Sequence, residues 1–189
     1  MIYGKRNIKT IVENHTLKWF RIGTMGDPCH DWELTATVCE WLYKFKTPVI
    51  ITKHWIKLSD ILLNRLLSCG VVINTSISPL DTNEEITHRL NQFNRIKDFG
   101  IISVLRIVSC KFGQTENGKK LNKIQNKLLK NNPIIDNPLR ITKSDYRVKN
   151  GDIIIERIKD MNSLNSISMN SKNAYLGKCM DCPDQCGVL

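Results

Sequence analysis

The sequence predicts an α/β protein built on a parallel sheet, and three observations predict it. Apolar runs of strand length recur at 17–24 (LKWFRIGT), 48–53 (PVIITK), 71–77 (VVINTSI) and 101–108 (IISVLRIV). Stretches of helical period separate them, and one strand follows the last after about 23 to 30 residues, the length of a βα repeat. The runs are continuously apolar rather than alternating, as strands covered on both faces are. Open sheets and barrels share this repeat, and both present ligands at the carboxyl ends of their strands.

Between the strands, residues 31–45 (DWELTATVCEWLYKF) set Trp32, Leu34, Val38, Leu42 and Phe45 near helical spacing. Residues 58–70 (LSDILLNRLLSCG) read as a helix stopped by Gly70. The segment 82–100 carries Glu84 and Glu85 early, basic residues later and Gly100 at its end, the order a helix dipole favours. After residue 131 the repeat dissolves. Pro133, Pro138 and an Asn-Gly pair at 150–151 predict short strands or extended segments, with a hairpin about Asn150 and Gly151. Residues 161–173 are polar and weakly patterned. Two regions follow: 1–131 with the repeats, and a C-terminal extension over 132–189.

A chain of 189 residues can close one domain over its own core. No apolar run approaches the ~20 residues that span a bilayer, so a membrane partner is not expected. The N-terminal MIYGKRNIKTIVEN lacks the pattern of a secretory signal, and a cytoplasmic location is expected. The formal net charge is +10, and much of it lies in 118–130 (GKKLNKIQNKLLK), where Lys119, Lys120, Lys123, Lys127 and Lys130 surround an Ile/Leu stripe. Such a face gathers phosphates, yet its simplest reading is a solvated amphipathic helix, so nucleic acid stands as a minor partner.

The seven cysteines are an odd number, and Cys29, Cys39, Cys69 and Cys110 lie within or at the ends of apolar or helical segments. Neither fact suits a disulfide framework. The tail GKCMDCPDQCGV is different: Cys179, Cys182 and Cys186 form C-x2-C-x3-C with Pro183 and Gly187 to bend the backbone. Three thiolates this close converge on one metal centre, against the plainer alternative of free thiols on a frayed terminus. A closed site needs a fourth ligand, for which Cys110 is the best candidate, with an aspartate, a histidine or a substrate atom as the other options. Zinc and an iron-sulfur cluster both satisfy the spacing.

The strand ends are polar. The first offers Gly23, Thr24, Gly26, Asp27 and Pro28; the second Thr52, Lys53 and His54; the third Asn74, Thr75, Ser76, Ser78 and Asp81; the fourth Arg106, Ser109 and Cys110. In order and spacing, GTMGDPCHDWE, TPVIITKH, VVINTSISPLD followed by HRL, and GIISVLRIV resemble the radical S-adenosylmethionine (radical SAM) superfamily from its second barrel strand onward. The match covers roughly residues 15 to 110, and the cysteine tail resembles an auxiliary-cluster extension. The resemblance implies a partial (β/α) barrel, a TIM-barrel-like half with parallel strands, followed by an irregular C-terminal extension. It also implies SAM as cofactor beside an iron-sulfur cluster. By that resemblance Gly26, Asp27 and Pro28 form the turn that holds the methionine amino group, Thr52 and Lys53 end the next strand, and Asn74, Ser76 and Ser78 border the ribose and methionine carboxylate. Arg89 then meets that carboxylate, a contact lysine would not reproduce bidentately, and the 100–107 run with Arg106 borders adenine.

The sequence departs from the superfamily in one large respect. The C-x3-C-x2-C loop that holds the catalytic four-iron cluster is missing, and no cysteine precedes Cys29. The expectation is a truncated gene product or half of a split enzyme, with the missing first strand and cluster loop supplied by a second chain, or a homo-oligomer. Radical chemistry by this chain alone does not follow, and enzymatic activity is left open. A competing reading is a non-catalytic zinc- or cluster-stabilised binding module that uses the 118–130 helix for nucleic acid. A hydrolase using His30 or His54 with Asp27 or Asp31 ranks last, because no nucleophile elbow or adjacent base is visible. His30 reads as part of a helix cap, His88 as solvated, and Trp19, Trp32, Trp41 and Trp55 as core or core-edge aromatics. An incomplete barrel would leave the 17–24 strand as an exposed edge.

Overall fold

The computed structural model of the chain describes residues 16–23, 26–131, 134–158, 165–170, 174–175 and 181–188, together with Thr10 and Asn14. The fold is α/β. Its elements are β1 (Trp19–Ile22), a 3-10 turn (Pro28–Asp31), α1 (Trp32–Leu42), β2 (Thr47–Thr52), α2 (Asp60–Ser68), β3 (Val72–Ile77), α3 (Asn83–Asp98) and β4 (Ile102–Ser109). There follow α4 (Glu116–Asn131), β5 (Ile135–Thr142), α5 (Tyr146–Lys149), β6 (Arg157–Ile158), β7 (Asn165–Ser168) and a 3-10 turn (Gln185–Gly187). The hydrogen-bonded strand order is β1-β2-β3-β4-β5-β7-β6. The first five strands follow chain order, the sequence of half a (β/α) barrel, with β1–β2, β2–β3 and β4–β5 parallel. Among the described residues β1 is an end strand, as expected of an incomplete barrel.

The repeat runs one strand further than the sequence suggests. Residues 135–142 pair in parallel with β4, Arg106 opposite Ile135 through Ser109 opposite Pro138. The predicted hairpin at Asn150–Gly151 is instead the end of α5: the Asp145 carboxylate accepts from the Arg147 N–H, and the N–H of Gly151, at φ +77°, donates to the Val148 carbonyl. An Asn-Gly pair closes a helical turn as readily as a hairpin, and the capping aspartate decides between them. The extension then adds β7 antiparallel to β5, and β6 antiparallel to β7.

Two compact units divide the chain. The first comprises residues 1–75, 88–104 and 183–189, the second 76–87 and 105–182. In the first, α1 begins where the Asp31 carboxylate accepts from the Leu34 N–H, and it buries Trp32, Thr35, Ala36, Cys39 and Leu42. That spacing carries one face of a 3.6-residue helix onto the sheet. α2 starts at Ser59, whose hydroxyl accepts from the Leu62 N–H, and buries Leu62, Leu63 and Leu66 against Ile50 and Ile73. Arg65 ties the two helices by paired contacts to Glu40 and a further one to Glu33. The opposite sheet face carries Trp19, Val49 and Val72, and it is covered by Cys186 with Val188 beside it. In the second unit, Cys110, Phe112, Ile141 and Ile153 form the buried cluster, with Leu121 of α4 packed against it.

Candidate functional site

The polar ends of β1 and β2 meet within the first unit. β1 leads into Gly23, whose φ of +98° and tight surroundings admit only glycine: a Cβ there would stand 2.8 Å from two ring carbons of Pro28 and 3.0 Å from the Ile51 carbonyl oxygen. The turn so formed carries Gly26, exposed, and Asp27, half-buried. The Asp27 Oδ1 accepts from the Cys29 N–H at 3.1 Å and from the Thr52 hydroxyl at 2.6 Å, and Oδ2 accepts from the Lys53 N–H at 2.6 Å. Thr52 in turn accepts the His54 N–H at 2.9 Å. Pro28 is buried, and its carbonyl takes the Thr35 hydroxyl. Burial acts to raise the Asp27 pKa, but the hydrogen bonds from Thr52, Lys53 and Cys29 outweigh it and hold the carboxylate below its ordinary range. Asp27 is therefore a fixed anion joining two strand ends, with acceptor capacity left on Oδ2.

His54 closes the same strand end in a left-handed conformation, φ +54°, unusual for a side chain of its size. It is fully buried, its Nε2 stands 3.0 Å from the Thr75 hydroxyl, and its ring lies 6.0 Å from that of Trp32. Burial drives its pKa down to about 4, so the imidazole is neutral at physiological pH. His88 is not simply solvated: its Nε2 lies 2.9 Å from the His54 carbonyl oxygen. The next residue of α3, Arg89, is 1% exposed, donates from Nε to the Lys53 carbonyl at 2.8 Å, and sets its guanidinium 4.5 Å from the Trp55 ring centroid. The Lys53 ammonium is 5.5 Å from the same centroid. Trp55 is 48% exposed, more open than a core-edge aromatic. The end of β2 thus presents an indole flanked by two cations beside an ionised carboxylate.

The remaining strand-end residues divide by side-chain parity. Along β3, Asn74 and Ser76 share the face of Val72, whereas Thr75 shares that of the helix-packed Ile73. Asn74 is buried and donates from Nδ2 to the Cys186 carbonyl at 3.0 Å, while the Trp19 indole N–H donates to Gln185 Oε1 at 3.0 Å. The C-terminal turn therefore sits on the face that carries Asn74, held with Gln185 and Cys186 at positive φ. Ser76 is half-buried, and Ser78 is buried and donates to the Val108 carbonyl. Arg106 is half-buried and donates to Asn137 Oδ1 at 2.7 Å.

Of the proposed metal ligands, Cys179 lies outside the described residues. Cys182 is half-buried, Cys186 is packed among Trp19, Val49 and Val72, and Cys110 belongs to the apolar cluster of the second unit. The backbone N–H and carbonyl of Cys110 are both held by the Gln125 amide at 3.0 Å, and burial pushes its thiol up to about 12, the neutral form. Among the described residues no three His, Cys, Asp or Glu side chains are gathered as metal ligands.

One arrangement has no clear signal in the sequence. At the start of α4, Thr115 and Asn117 donate to the two oxygens of Asp152 at 2.5 and 2.8 Å, and the Gly113 N–H donates to the Asp152 carbonyl. Only the glycines at 113 and 118, close to an Asn-Gly-Asp turn far along the chain, hinted at it. Among the described residues no helix is long and apolar enough to cross a membrane. No known protein-family profile matches the chain, and no curated protein matches it.

Proposed function

We propose that this chain is a radical SAM-like partial barrel that binds S-adenosylmethionine at the carboxyl ends of its strands, works in the cytoplasm, and carries an iron-sulfur cluster on its C-terminal cysteines. The observation that carries the reading is the Asp27 clamp. A carboxylate kept ionised by three hydrogen bonds, at the junction of two adjacent parallel strand ends, suits an ammonium group such as that of the methionine moiety. The half-exposed Trp55 and the Lys53 ammonium beside it supply an aromatic surface and a cation for a carboxylate within the same unit, with Arg89 buried against the indole. On the Val72 face, Asn74 is a buried amide whose present partner is a backbone carbonyl of the tail, so ligand entry there requires the 183–188 turn to move.

SAM supplies one-electron chemistry only beside a four-iron cluster with an open iron, and the three-cysteine loop for that cluster must come from outside these 189 residues. The tail array is assigned an auxiliary centre. The buried, neutral Cys110, held by Gln125 at its backbone, is a poor fourth ligand for it. The test is anaerobic purification with iron, sulfide and zinc analysis of the wild type and of a Cys179→Ser/Cys182→Ser/Cys186→Ser variant. Roughly four irons per chain, lost in the variant, is the expected result. Zinc in place of iron would favour a metal-stabilised binding module, and no metal in either protein would remove the cluster from the reading.

A further inference from the structure

Helix α4 is amphipathic in a way the fold only half explains. At about 100° per residue, Leu121, Ile124, Gln125 and Leu128 fall on one side. That side is used: Leu121 packs on the Cys110 cluster, Leu128 is buried, and Gln125 is fully buried in its paired contact with Cys110. On the other side Lys119, Lys120, Lys123, Lys127 and Lys130 fall within an arc of about 100°. All five are exposed, and none is ion-paired with a described residue. The only acid of the helix, Glu116, stands at its start. There an open cleft of about 660 Å³ is lined by Glu116, Asn117, Lys119, Lys120 and Lys123.

The geometry points to a nucleic-acid backbone as the partner of this ridge. Lys120, Lys123, Lys127 and Lys130 rise along the axis in steps of about 4.5, 6 and 4.5 Å, a line of cations about 15 Å long that can follow consecutive phosphates. Uncompensated lysines arrayed on a straight element gain from the release of counterions condensed on a polyanion. α4 carries no aromatic side chain to stack on a base, so the contact is to phosphate and is indifferent to sequence. A lipid surface is disfavoured for a structural reason: a helix that lies in a membrane buries its apolar side there, and here that side is already taken by the core of its own unit. This surface is independent of the SAM reading, and its test involves neither SAM nor metal.

The test is fluorescence anisotropy of labelled 20-nucleotide DNA of arbitrary sequence, as duplex and as single strand, titrated with the full chain across a salt series. Two variants with the same loss of charge are compared: Lys120→Gln/Lys123→Gln/Lys127→Gln/Lys130→Gln on the ridge, and Lys44→Gln/Lys97→Gln/Lys143→Gln/Lys149→Gln at exposed sites elsewhere. If four lysines each meet a phosphate, the wild-type plot of log K against log salt has a slope near −3.6 on duplex and near −2.8 on single strand. The ridge variant should lose at least tenfold in affinity and most of that slope, and the control variant should keep both. Equal weakening of the two variants would reduce the effect to net charge and overturn the ridge. Absence of wild-type binding at low salt, unchanged binding by the ridge variant, or preferential binding to phosphatidylserine vesicles would each overturn it as well.

Discussion

The strand ends of the first unit and the outer face of α4 in the second are both rich in polar residues, yet they put them to opposite use. Around Asp27, polar groups turn inward onto the chain itself: the carboxylate takes three hydrogen bonds, Thr52 both donates and accepts, and His54 is sealed against Thr75. On α4, five lysines face outward with no ion pair to a described residue. Buried polar groups must find partners within the protein, whereas exposed cations are satisfied by water and remain available to a second molecule. A polar residue at a strand end is therefore a poor guide to ligand contact until its own partners are known.

This contrast orders the expected effects of substitution. The largest belongs to the turn before α4 rather than to the ridge. A Cβ at Gly113 would lie 1.8 Å from the Gly151 carbonyl oxygen, so Gly113→Ala forces two backbone segments apart and should cost about 3 kcal/mol in a urea melt. Acid should act through His54 by a similar amount. Its folded pKa is about 4 against 6.5 unfolded, so the unfolded chain binds the extra proton between those values. The stability it contributes is full above pH 6.5 and is lost as pH falls towards 4, up to about 3 kcal/mol, and urea midpoints of the wild type and His54→Gln across that range should converge. Asp27→Ala removes the acceptor shared by the Thr52 hydroxyl and the Cys29 and Lys53 N–H groups and should cost about 2 kcal/mol by the same melts. Lysine-to-glutamine changes on α4 should each shift stability by less than about 0.5 kcal/mol. An α4 variant that unfolds as readily as Asp27→Ala would break the contrast.

Most of the layout is readable in the sequence because it rests on continuous apolar runs. Residues 48–53 and 71–77 become β2 and β3 within a residue of the expected ends. β5 was harder to see. Its residues IDNPLRIT mix Asp136 and Pro138 into a strand buried only in part, and nothing local announces that it pairs with β4. The site is legible to a smaller degree. The Asp27 turn and the polar end of β2 stand out in the sequence, but the bond that joins them spans 25 residues. Sorting Asn74 from Thr75 needs the strand's facing, which sequence alone does not fix when both sides are covered. His88 reads as solvated in the sequence because its partner, the His54 carbonyl, is a backbone group 34 residues away.

The measurement that bears most directly on the central claim is equilibrium binding of SAM to the anaerobically purified chain, by calorimetry, for the wild type and Asp27→Asn with folding checked by circular dichroism. Asparagine is isosteric with aspartate and removes the charge that would meet an ammonium group, though its amide NH2 must face one of the clamp's backbone N–H donors. The expected result is saturable binding at one site per chain, weakened at least tenfold in the folded Asp27→Asn variant, in line with loss of a charge-assisted contact. No binding by the wild type, or equal binding by a folded Asp27→Asn, would contradict it.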